Sequence, residues 1–373
     1  MKSQFEFGKV ISDASFVDRE DERRRLAANI ESAINTILIS PRRWGKTSLI
    51  AQVARENKNE KTVFCFLDLF NIRTEEEFYQ KLATQIIKST SNKWEEWVET
   101  GRKFLKSLIP RFSIGDDPLH DFSISLDIVA LKQSAEEILN LSEKIAKEKE
   151  IRLVVCIDEF QNISFFDQPL AFQKQLRSYW QHHQQTCYII YGSKKHIMAE
   201  LFQSPEMPFY RFGDLMMLQK IEKEYWIPFI IEGFKNTGKE IKAEVAALIP
   251  EMMENHPYYV QFLSYQSWNQ TDSECDFHTI EHACAELLNQ QTILYQHEVD
   301  NLTNFQLNYL KAIANGEKQL NAAVVVKKYN LGTPGNIKKM QVALENKEII
   351  DVSGKTVEIS DPLFRLWIRK YFL

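Results

Sequence analysis

The stretch from residue 36 to residue 50, TILISPRRWGKTSLI, constrains the fold of this chain more than any other. Its first four residues, Thr36–Ile39, are apolar or β-branched and predict a short buried strand. A tight basic turn follows, and Lys46 then opens a helix. The backbone N–H groups of such a turn, together with the positive end of the helix dipole, surround an anion. The stretch therefore predicts a phosphate-binding loop between a strand and a helix.

This arrangement matches a P-loop, whose usual pattern is G-x-x-x-x-G-K-[ST]. In a P-loop Lys46 would reach the β- and γ-phosphates of a nucleotide from a solvent-facing position, and the Thr47 hydroxyl would bind Mg²⁺. Gly45 would let the backbone approach the phosphates. Ser40 departs from the pattern, which asks for glycine there, and the alternative is a chance Gly-Lys-Thr after a strand. The predicted nucleotide-binding residues of the loop are Pro41, Arg42, Arg43, Trp44, Gly45, Lys46, Thr47 and Ser48.

A second motif joins an apolar strand to two carboxylates. Residues 151–160 read IRLVVCIDEF, and the unbroken apolar run is typical of a strand that is buried on both faces of a sheet. Asp158 and Glu159 follow at its end, which is the Walker B arrangement. Asp158 would hold Mg²⁺ through water, and Glu159 would polarise the attacking water. The alternative is a strand that leaves the sheet into solvent with acidic residues.

Two further strands are predicted at residues 187–191 and 215–218. Ser193 follows the first of them, where related ATPases keep a polar group that senses the γ-phosphate. The alternative is that Ser193 caps the helix predicted at residues 194–202. Strands that alternate with helices around these motifs predict an α/β fold with a mainly parallel sheet.

The composition is that of an ordinary globular protein without bias toward nucleic acid or membranes. A length of 373 residues predicts two or three domains, and the formal net charge is -5. The five cysteines form no C-x-x-C pair and suit buried positions in a reducing compartment. The start, MKSQFEFGKV, lacks the apolar core of a signal peptide, and no apolar run reaches membrane-spanning length. We therefore expect a cytoplasmic protein without a membrane partner.

The remainder of the chain predicts two more parts. Apolar residues at helical spacing predict helices at 222–234, 241–253, 258–268 and 278–295. The last segment predicts helices at 304–314, 320–329 and 335–346, followed by a hairpin of residues 349–352 and 356–359. Three helices and a hairpin are the arrangement of a winged helix-turn-helix.

The ordered set of motifs resembles the archaeal-type ATPases, which belong to the STAND class of AAA-related P-loop NTPases. The motifs are FVDRE, SPRRWGKTSL, VVCIDEFQ, YGS, FYR, NHPYY and the C-terminal winged helix, in that order. The resemblance covers nearly the whole chain. It implies an AAA-like P-loop NTPase core with a helical lid and a C-terminal winged helix-turn-helix.

The resemblance also implies roles that spacing alone does not. Arg19 matches an arginine near the nucleotide base and ribose, although Asp18 stands where many relatives have Gly or Asn. His256 and Pro257 match the lid element that packs against the base in the ADP-bound state. Arg211 matches the position of an arginine finger. Members of the family often hold ADP in a closed monomer and form homo-oligomers with ATP, so the same behaviour is implied here.

The sequence thus predicts a nucleotide-binding core at residues 1–218, a helical lid at 219–300 and a winged helix at 301–373. The leading hypothesis is a slow Mg-ATP-dependent switch whose nucleotide state controls the lid and the winged helix. A second hypothesis is a DNA-binding ATPase, with Lys338 and Lys339 of the recognition helix facing the major groove. A third is a nucleotide-bound scaffold with little turnover and a protein partner. We favour the winged helix as a clasp or protein surface, because its recognition helix has no arginine.

Overall fold

The computed structural model describes residues 3–11, 15–91, 93–106, 111–113, 123–125, 135–354 and 356–373. The chain divides into two compact units. The core unit comprises Arg19–Arg42 and Lys46–Leu218, and the C-terminal unit comprises Met1–Asp18, Arg43–Gly45 and Gln219–Leu373. The tip of the phosphate-binding loop therefore groups with the C-terminal unit, while the residues on both sides of the tip belong to the core.

The core unit is built on a five-stranded sheet in which every neighbouring pair of strands is parallel. The strands are β1 (Thr36–Ile39), β2 (Thr62–Asp68), β5 (Arg152–Asp158), β6 (Thr186–Gly192) and β7 (Asp214–Met217), in the order β2-β5-β6-β1-β7. A separate antiparallel pair is formed by β3 (Arg111–Ser113) and β4 (Ser123–Ser125). The predicted α/β fold with a mainly parallel sheet is confirmed. The alternating residues on either side of Gly115–Pro118 predict a hairpin, and its turn lies outside the described residues.

The apolar runs that predicted the central strands are those that the sheet buries on both faces. Every residue of β1 and β6 is buried, as are the five interior residues of β5. Because parallel strands end at one edge, the loop after β1, the carboxylates after β5 and the serine after β6 are brought together. The register places Ile39 of β1 opposite Gly192 of β6, which aligns two of these strand ends.

Helices flank the sheet. The core helices are α1 (Glu20–Glu31), α2 (Lys46–Asn57), α3 (Glu75–Thr90), α4 (Trp94–Phe104), α5 (Leu141–Lys149), α6 (Pro169–Trp180) and α7 (Lys195–Gln203). A 3₁₀ helix covers Phe160–Phe165, directly after the two carboxylates. The capping box at the start of α3 is formed by Thr74 and Glu77, which satisfies two free N–H groups.

The first part of the C-terminal unit is a helical layer. Its helices are α8 (Lys223–Lys235), α9 (Ala243–Met252), α10 (Pro257–Gln270) and α11 (Phe277–Asp300). These are the predicted helices with shifted ends. Two short strands that the periodicity did not predict, β8 (Glu240–Ile241) and β9 (Glu274–Cys275), pair in parallel.

The last part of the C-terminal unit is a winged helix-turn-helix. It consists of α12 (Asn304–Ala314), α13 (Ala323–Tyr329), α14 (Pro334–Asn346), the antiparallel strands β10 (Ile350–Ser353) and β11 (Thr356–Ile359), and α15 (Pro362–Phe372). Helix α15 was not predicted, although Asp361 caps its first turn by accepting from the N–H of Phe364 at 3.0 Å. Trp367 and Ile368 bury its inner face.

Two further findings concern the cysteines and the apolar character of the helices. All five cysteines are free and buried. Within the described ranges, none of the helices combines the length and apolar character that crossing a membrane requires.

Candidate functional site

The predicted phosphate-binding loop is closed around its lysine. Lys46 donates from Nζ to the carbonyl oxygens of Ser40 and Pro41, each at 2.9 Å. Its side chain is buried, so the expectation of a solvent-facing lysine is wrong. The ammonium group satisfies two carbonyls of the loop and is thereby held inside the turn that a phosphate would occupy.

Ser40 fits the position where the P-loop pattern asks for glycine. Its backbone is not in the left-handed region, so a side chain is tolerated there. The left-handed residues of the loop are Arg43, with φ of 63°, and Gly45, with φ of 90°. The departure at Ser40 therefore leaves the turn intact, and Gly45 occupies the position that needs glycine.

Thr47 and Asp158 bring two oxygen donors together, as the motifs predict. The Thr47 hydroxyl donates to Oδ2 of Asp158 at 3.1 Å. Burial, and then the charge of the neighbouring Glu159, raise the pKa of Asp158 to about 6. The backbone N–H of Glu159 and the charge of Lys46 act in the opposite direction, because both favour the ionised carboxylate. A carboxylate destabilised by burial next to a hydroxyl is a donor set that suits a hard cation such as Mg²⁺.

Glu159 is held by two donors on one oxygen. It adopts left-handed backbone with φ of 52°, and its Oε2 accepts from the Ser193 hydroxyl at 3.2 Å and from Nε2 of Gln161. Arg42 places Nε 3.4 Å from the same hydroxyl. The alternative that Ser193 caps the next helix is wrong, because Lys194 is the N-cap and makes no side-chain cap. Ser193 instead lies beside the predicted catalytic carboxylate.

Arg19 and Arg211, the two predicted site arginines outside the loop, have different surroundings. Arg19 is buried, lies in left-handed backbone with φ of 72°, and pairs with Glu22 at 2.9 Å. Arg211 is exposed, and its guanidinium lies 5.1 Å from the centre of the Tyr210 ring. The described contacts of Arg211 do not include Asp158 or Glu159. Its role as an arginine finger therefore stays a prediction.

In the C-terminal unit, Arg43 of the loop is engaged by two tyrosines of α10. Its Nη1 donates to the Tyr259 hydroxyl at 2.9 Å, and its guanidinium lies 4.7 Å from the centre of the Tyr258 ring. The Tyr259 hydroxyl in turn donates to Oδ2 of Asp361, which also accepts from Tyr295 at 3.1 Å. Burial raises the pKa of Asp361 against these hydrogen bonds. We call Arg43, Tyr259 and Asp361 the loop–wing tie.

His256 and Pro257 form a buried turn next to Trp44. Pro257 opens α10 and is buried, and the ring of His256 is centred 6.2 Å from that of Trp44. Burial, and then Lys220 and Arg43, lower the pKa of His256 to about 3, so its imidazole is neutral at pH 7. Within the described chain its Nδ1 has no hydrogen-bond partner. A neutral, partly unsatisfied imidazole is a feature expected of a ligand-binding turn.

Ion pairs connect this turn to the winged helix. Arg365 of α15 lies with Nε 2.5 Å from Oε1 of Glu254, which precedes the turn in left-handed backbone. Lys220 pairs with Glu358 of β11 at 2.8 Å. Sequence reasoning missed these pairs and the loop–wing tie, because their partners are far apart in the chain. The tyrosines of NHPYY were a readable signal, since they follow the predicted lid element directly.

Comparisons with known proteins identify the family of the chain and similar folds. A family model described as an ATPase domain predominantly from Archaea matches residues 16–263, and a model for a probable winged helix domain matches residues 293–370. A search of curated proteins returns no match. A Walker-type ATPase of Pyrococcus abyssi is similar in structure, with a TM-score of 0.70, 18% identity, and coverage of 98% of this chain and 99% of that one. The ORC2 protein of Aeropyrum pernix, in ADPNP–ADP complexes, has a TM-score of 0.59 and 13% identity, with 98% and 96% covered.

Proposed function

Since the chain belongs to the family of ATPase domains found predominantly in Archaea, we propose that it is a slow Mg-ATP-hydrolysing switch of the STAND or AAA type. The site supports this with a buried loop lysine, a hydroxyl–carboxylate pair and a second carboxylate held by a serine. The similar ORC2 structure holds ADPNP and ADP, which supports ATP and ADP as the ligands.

Each residue of the site has a defined task in this proposal. Lys46 exchanges its two carbonyl partners for phosphate oxygens, and the remaining loop residues bind the phosphates through their N–H groups. Thr47 and Asp158 would hold Mg²⁺, which supplies positive charge to the β- and γ-phosphates when bound. Glu159 accepts a hydrogen bond from the attacking water, and Ser193 contacts the γ-phosphate.

The remaining roles rest on the resemblance of the motifs. Arg19, His256 and Pro257 would contact the base and ribose, for which the neutral imidazole of His256 is suited. Arg211 would act as an arginine finger toward its own or a neighbour's nucleotide. We further propose that residues 1–218 form the ATPase core, 219–300 the lid and 301–373 the winged helix, as a monomer with ADP and a homo-oligomer with ATP.

The loop–wing tie is the single observation that carries the switch. Arg43 belongs to the loop that would bind phosphates, and it is hydrogen-bonded through Tyr259 to the residue that caps α15. A phosphate attracts the same guanidinium, so ATP and ADP would engage Arg43 to different extents. The strength of the contact between Arg43 and Tyr259 would then depend on the nucleotide, and the winged helix would respond.

DNA binding is the second candidate function. Lys338 and Lys339 are exposed on α14, which is the recognition helix of the winged helix-turn-helix. Against this function, the same helix carries Glu345 and no arginine. A winged helix fastened to Arg43 and Glu254 is better suited to act as a clasp or as a surface for a protein partner.

Steady-state phosphate release measured with Mg²⁺, with EDTA, and with added duplex DNA tests these functions together. Slow hydrolysis that requires Mg²⁺ and ignores DNA supports the switch. Hydrolysis that DNA stimulates would favour the DNA-binding ATPase instead. Nucleotide binding without hydrolysis would favour a scaffold and contradict the proposed function.

A further inference from the structure

Gln161 makes a direct contact with the proposed catalytic carboxylate. It lies two residues after Glu159 in the 3₁₀ helix, and it is fully buried. Its Nε2 donates to Oε2 of Glu159, the same oxygen that accepts from Ser193. Within the described chain, both donors to this carboxylate therefore act on Oε2, and Oε1 is left for another partner.

The backbone of β6 is shaped to admit this amide. A Cβ built on Gly192 would lie 2.0 Å from Oε1 of Gln161, closer than real Cβ contacts, and 3.1 Å from its Cδ, which is tighter than most. Gly192 does not have positive φ, so a larger residue there would displace the Gln161 amide for lack of space and not for conformation. The end of β6 thus holds Gln161 against Glu159.

The cost of burying this glutamine argues for a role beyond packing. Within the described residues its Oε1 has no hydrogen-bond partner, and a buried carbonyl oxygen without a partner is destabilising. A leucine would fill similar space without that cost. The reverse orientation of the amide would place its oxygen against the carboxylate of Glu159, so the donor is the group that this position needs.

We infer that Gln161 is a positioning residue, which fixes Oε2 of Glu159 so that Oε1 faces the attacking water. This inference rests on the proposed function, in which Glu159 is the catalytic carboxylate. Glu159 lies in left-handed backbone, and the two donors on Oε2 determine where its carboxylate lies. Gln161 and Gly192 act together as one support.

Turnover and nucleotide affinity of Gln161→Leu test the inference. We expect kcat to fall about tenfold, while the Kd for ADP changes less than about twofold. Gln173→Leu is the matched control, because Gln173 is also buried with an unpaired Oε1 but lies in α6. It should leave kcat and the Kd for ADP unchanged.

Gly192→Ala provides a second variant, whose added Cβ would crowd Oε1 of Gln161 at 2.0 Å and, less closely, Sδ of Met198 at 2.9 Å. It should lower kcat about tenfold in the wild-type background, but less than about twofold when Gln161→Ala has removed the amide. An equal loss in both backgrounds would overturn the inference. So would a Gln161→Leu protein that folds normally and keeps its kcat.

The contact can also be tested without turnover, which separates this inference from the proposed function. Gln161→Leu should lower the urea unfolding midpoint more in wild type than in Glu159→Ala, because only wild type has the carboxylate to lose. If wild type hydrolyses no ATP but this coupling is present, the proposed function fails and the contact stands. Equal midpoint shifts in both backgrounds would overturn the contact itself.

Discussion

The hydroxyl of Tyr259 donates to the carboxylate of Asp361 across 102 residues of sequence, and it accepts from Arg43 of the phosphate-binding loop at 2.9 Å. Tyr259 therefore connects the loop to the cap of the last helix with a single side chain. Burial raises the pKa of Asp361, so this carboxylate depends on the hydrogen bonds that it accepts. The predictions start from this contact.

Tyr259→Phe should loosen the winged helix and speed the release of ADP. The substitution keeps the ring but removes both hydrogen bonds of the hydroxyl, which is expected to lower the free energy of unfolding by about 1–3 kcal/mol. Stopped-flow release of a fluorescent ADP analogue measures the rate. Tyr265→Phe, the same change on the same helix, is the control and should leave release unchanged. Unchanged release in Tyr259→Phe would refute the clasp.

Lys46→Ala should abolish ATP and ADP binding. The lysine supplies the charge that the phosphates need, and its Nζ donates to the carbonyls of Ser40 and Pro41, whereas the Ser40 hydroxyl, which also donates to the Pro41 carbonyl at 3.2 Å, is uncharged. Because Lys46 is buried, some stability is also lost, so folding is checked by circular dichroism. Calorimetry compares the variant with Lys58→Ala, an exposed lysine after α2. An affinity of Lys46→Ala for ATP or ADP within a few-fold of that of wild type would contradict the assignment of the P-loop.

Asp158→Asn should stabilise the nucleotide-free protein at pH 7. The folded-state pKa of about 6 exceeds the ordinary value of 3.8, so folding favours the protonated form. The stability that this carboxyl contributes is complete below pH 3.8 and is lost as pH rises through 6. Asparagine does not ionise, so the variant avoids this loss in the free energy of unfolding, which amounts to up to about 3 kcal/mol. Urea unfolding of both proteins between pH 4 and pH 7 measures the difference, which should grow with pH.

Asp214→Asn is the control with the opposite sign. The hydrogen bond from Arg25 lowers the pKa of Asp214, so its ionised form stabilises the fold. The substitution should therefore destabilise the protein at pH 7. If Asp158→Asn also destabilises it there, the raised pKa of Asp158 is wrong.

Replacing Lys338 and Lys339 by glutamate separates a clasp from a DNA-binding helix. Both lysines are exposed on α14. If each contacts a DNA phosphate, their loss would make the slope of log binding constant against log salt concentration shallower by about two. For a clasp we expect only weak, non-specific DNA binding in wild type and variant alike. Titration of labelled duplex DNA with each protein at two salt concentrations distinguishes the clasp from the DNA-binding helix. Sequence-specific binding that the variant loses would favour the DNA-binding function.

The fold follows from the sequence where burial is continuous. Strand β1 ends where its apolar run predicts, because a strand buried on both faces has no polar position inside it. Helix α15 was missed although Asp361 and Pro362 are a helix-start signal that can be read. The motifs likewise predicted the meeting of Thr47 with Asp158.

Other features of the site depend on distances that no local pattern encodes. The contact of Gln161 with Gly192 requires the register between β5 and β6. The tie between Tyr259 and Asp361 requires the packing of the winged helix on α10. The left-handed backbone of Glu159 is equally invisible to periodicity, because it concerns one residue after a strand.

Hydrogen exchange of the α15 amides in Glu159→Gln tests the switch most directly, since this variant should bind ATP without hydrolysing it. The measurement compares saturating Mg-ATP with saturating Mg-ADP over Pro362–Phe372. The account predicts faster exchange with ATP than with ADP, because ATP engages Arg43 and weakens the loop–wing tie. Identical exchange with the two nucleotides, with binding of both confirmed, would contradict it.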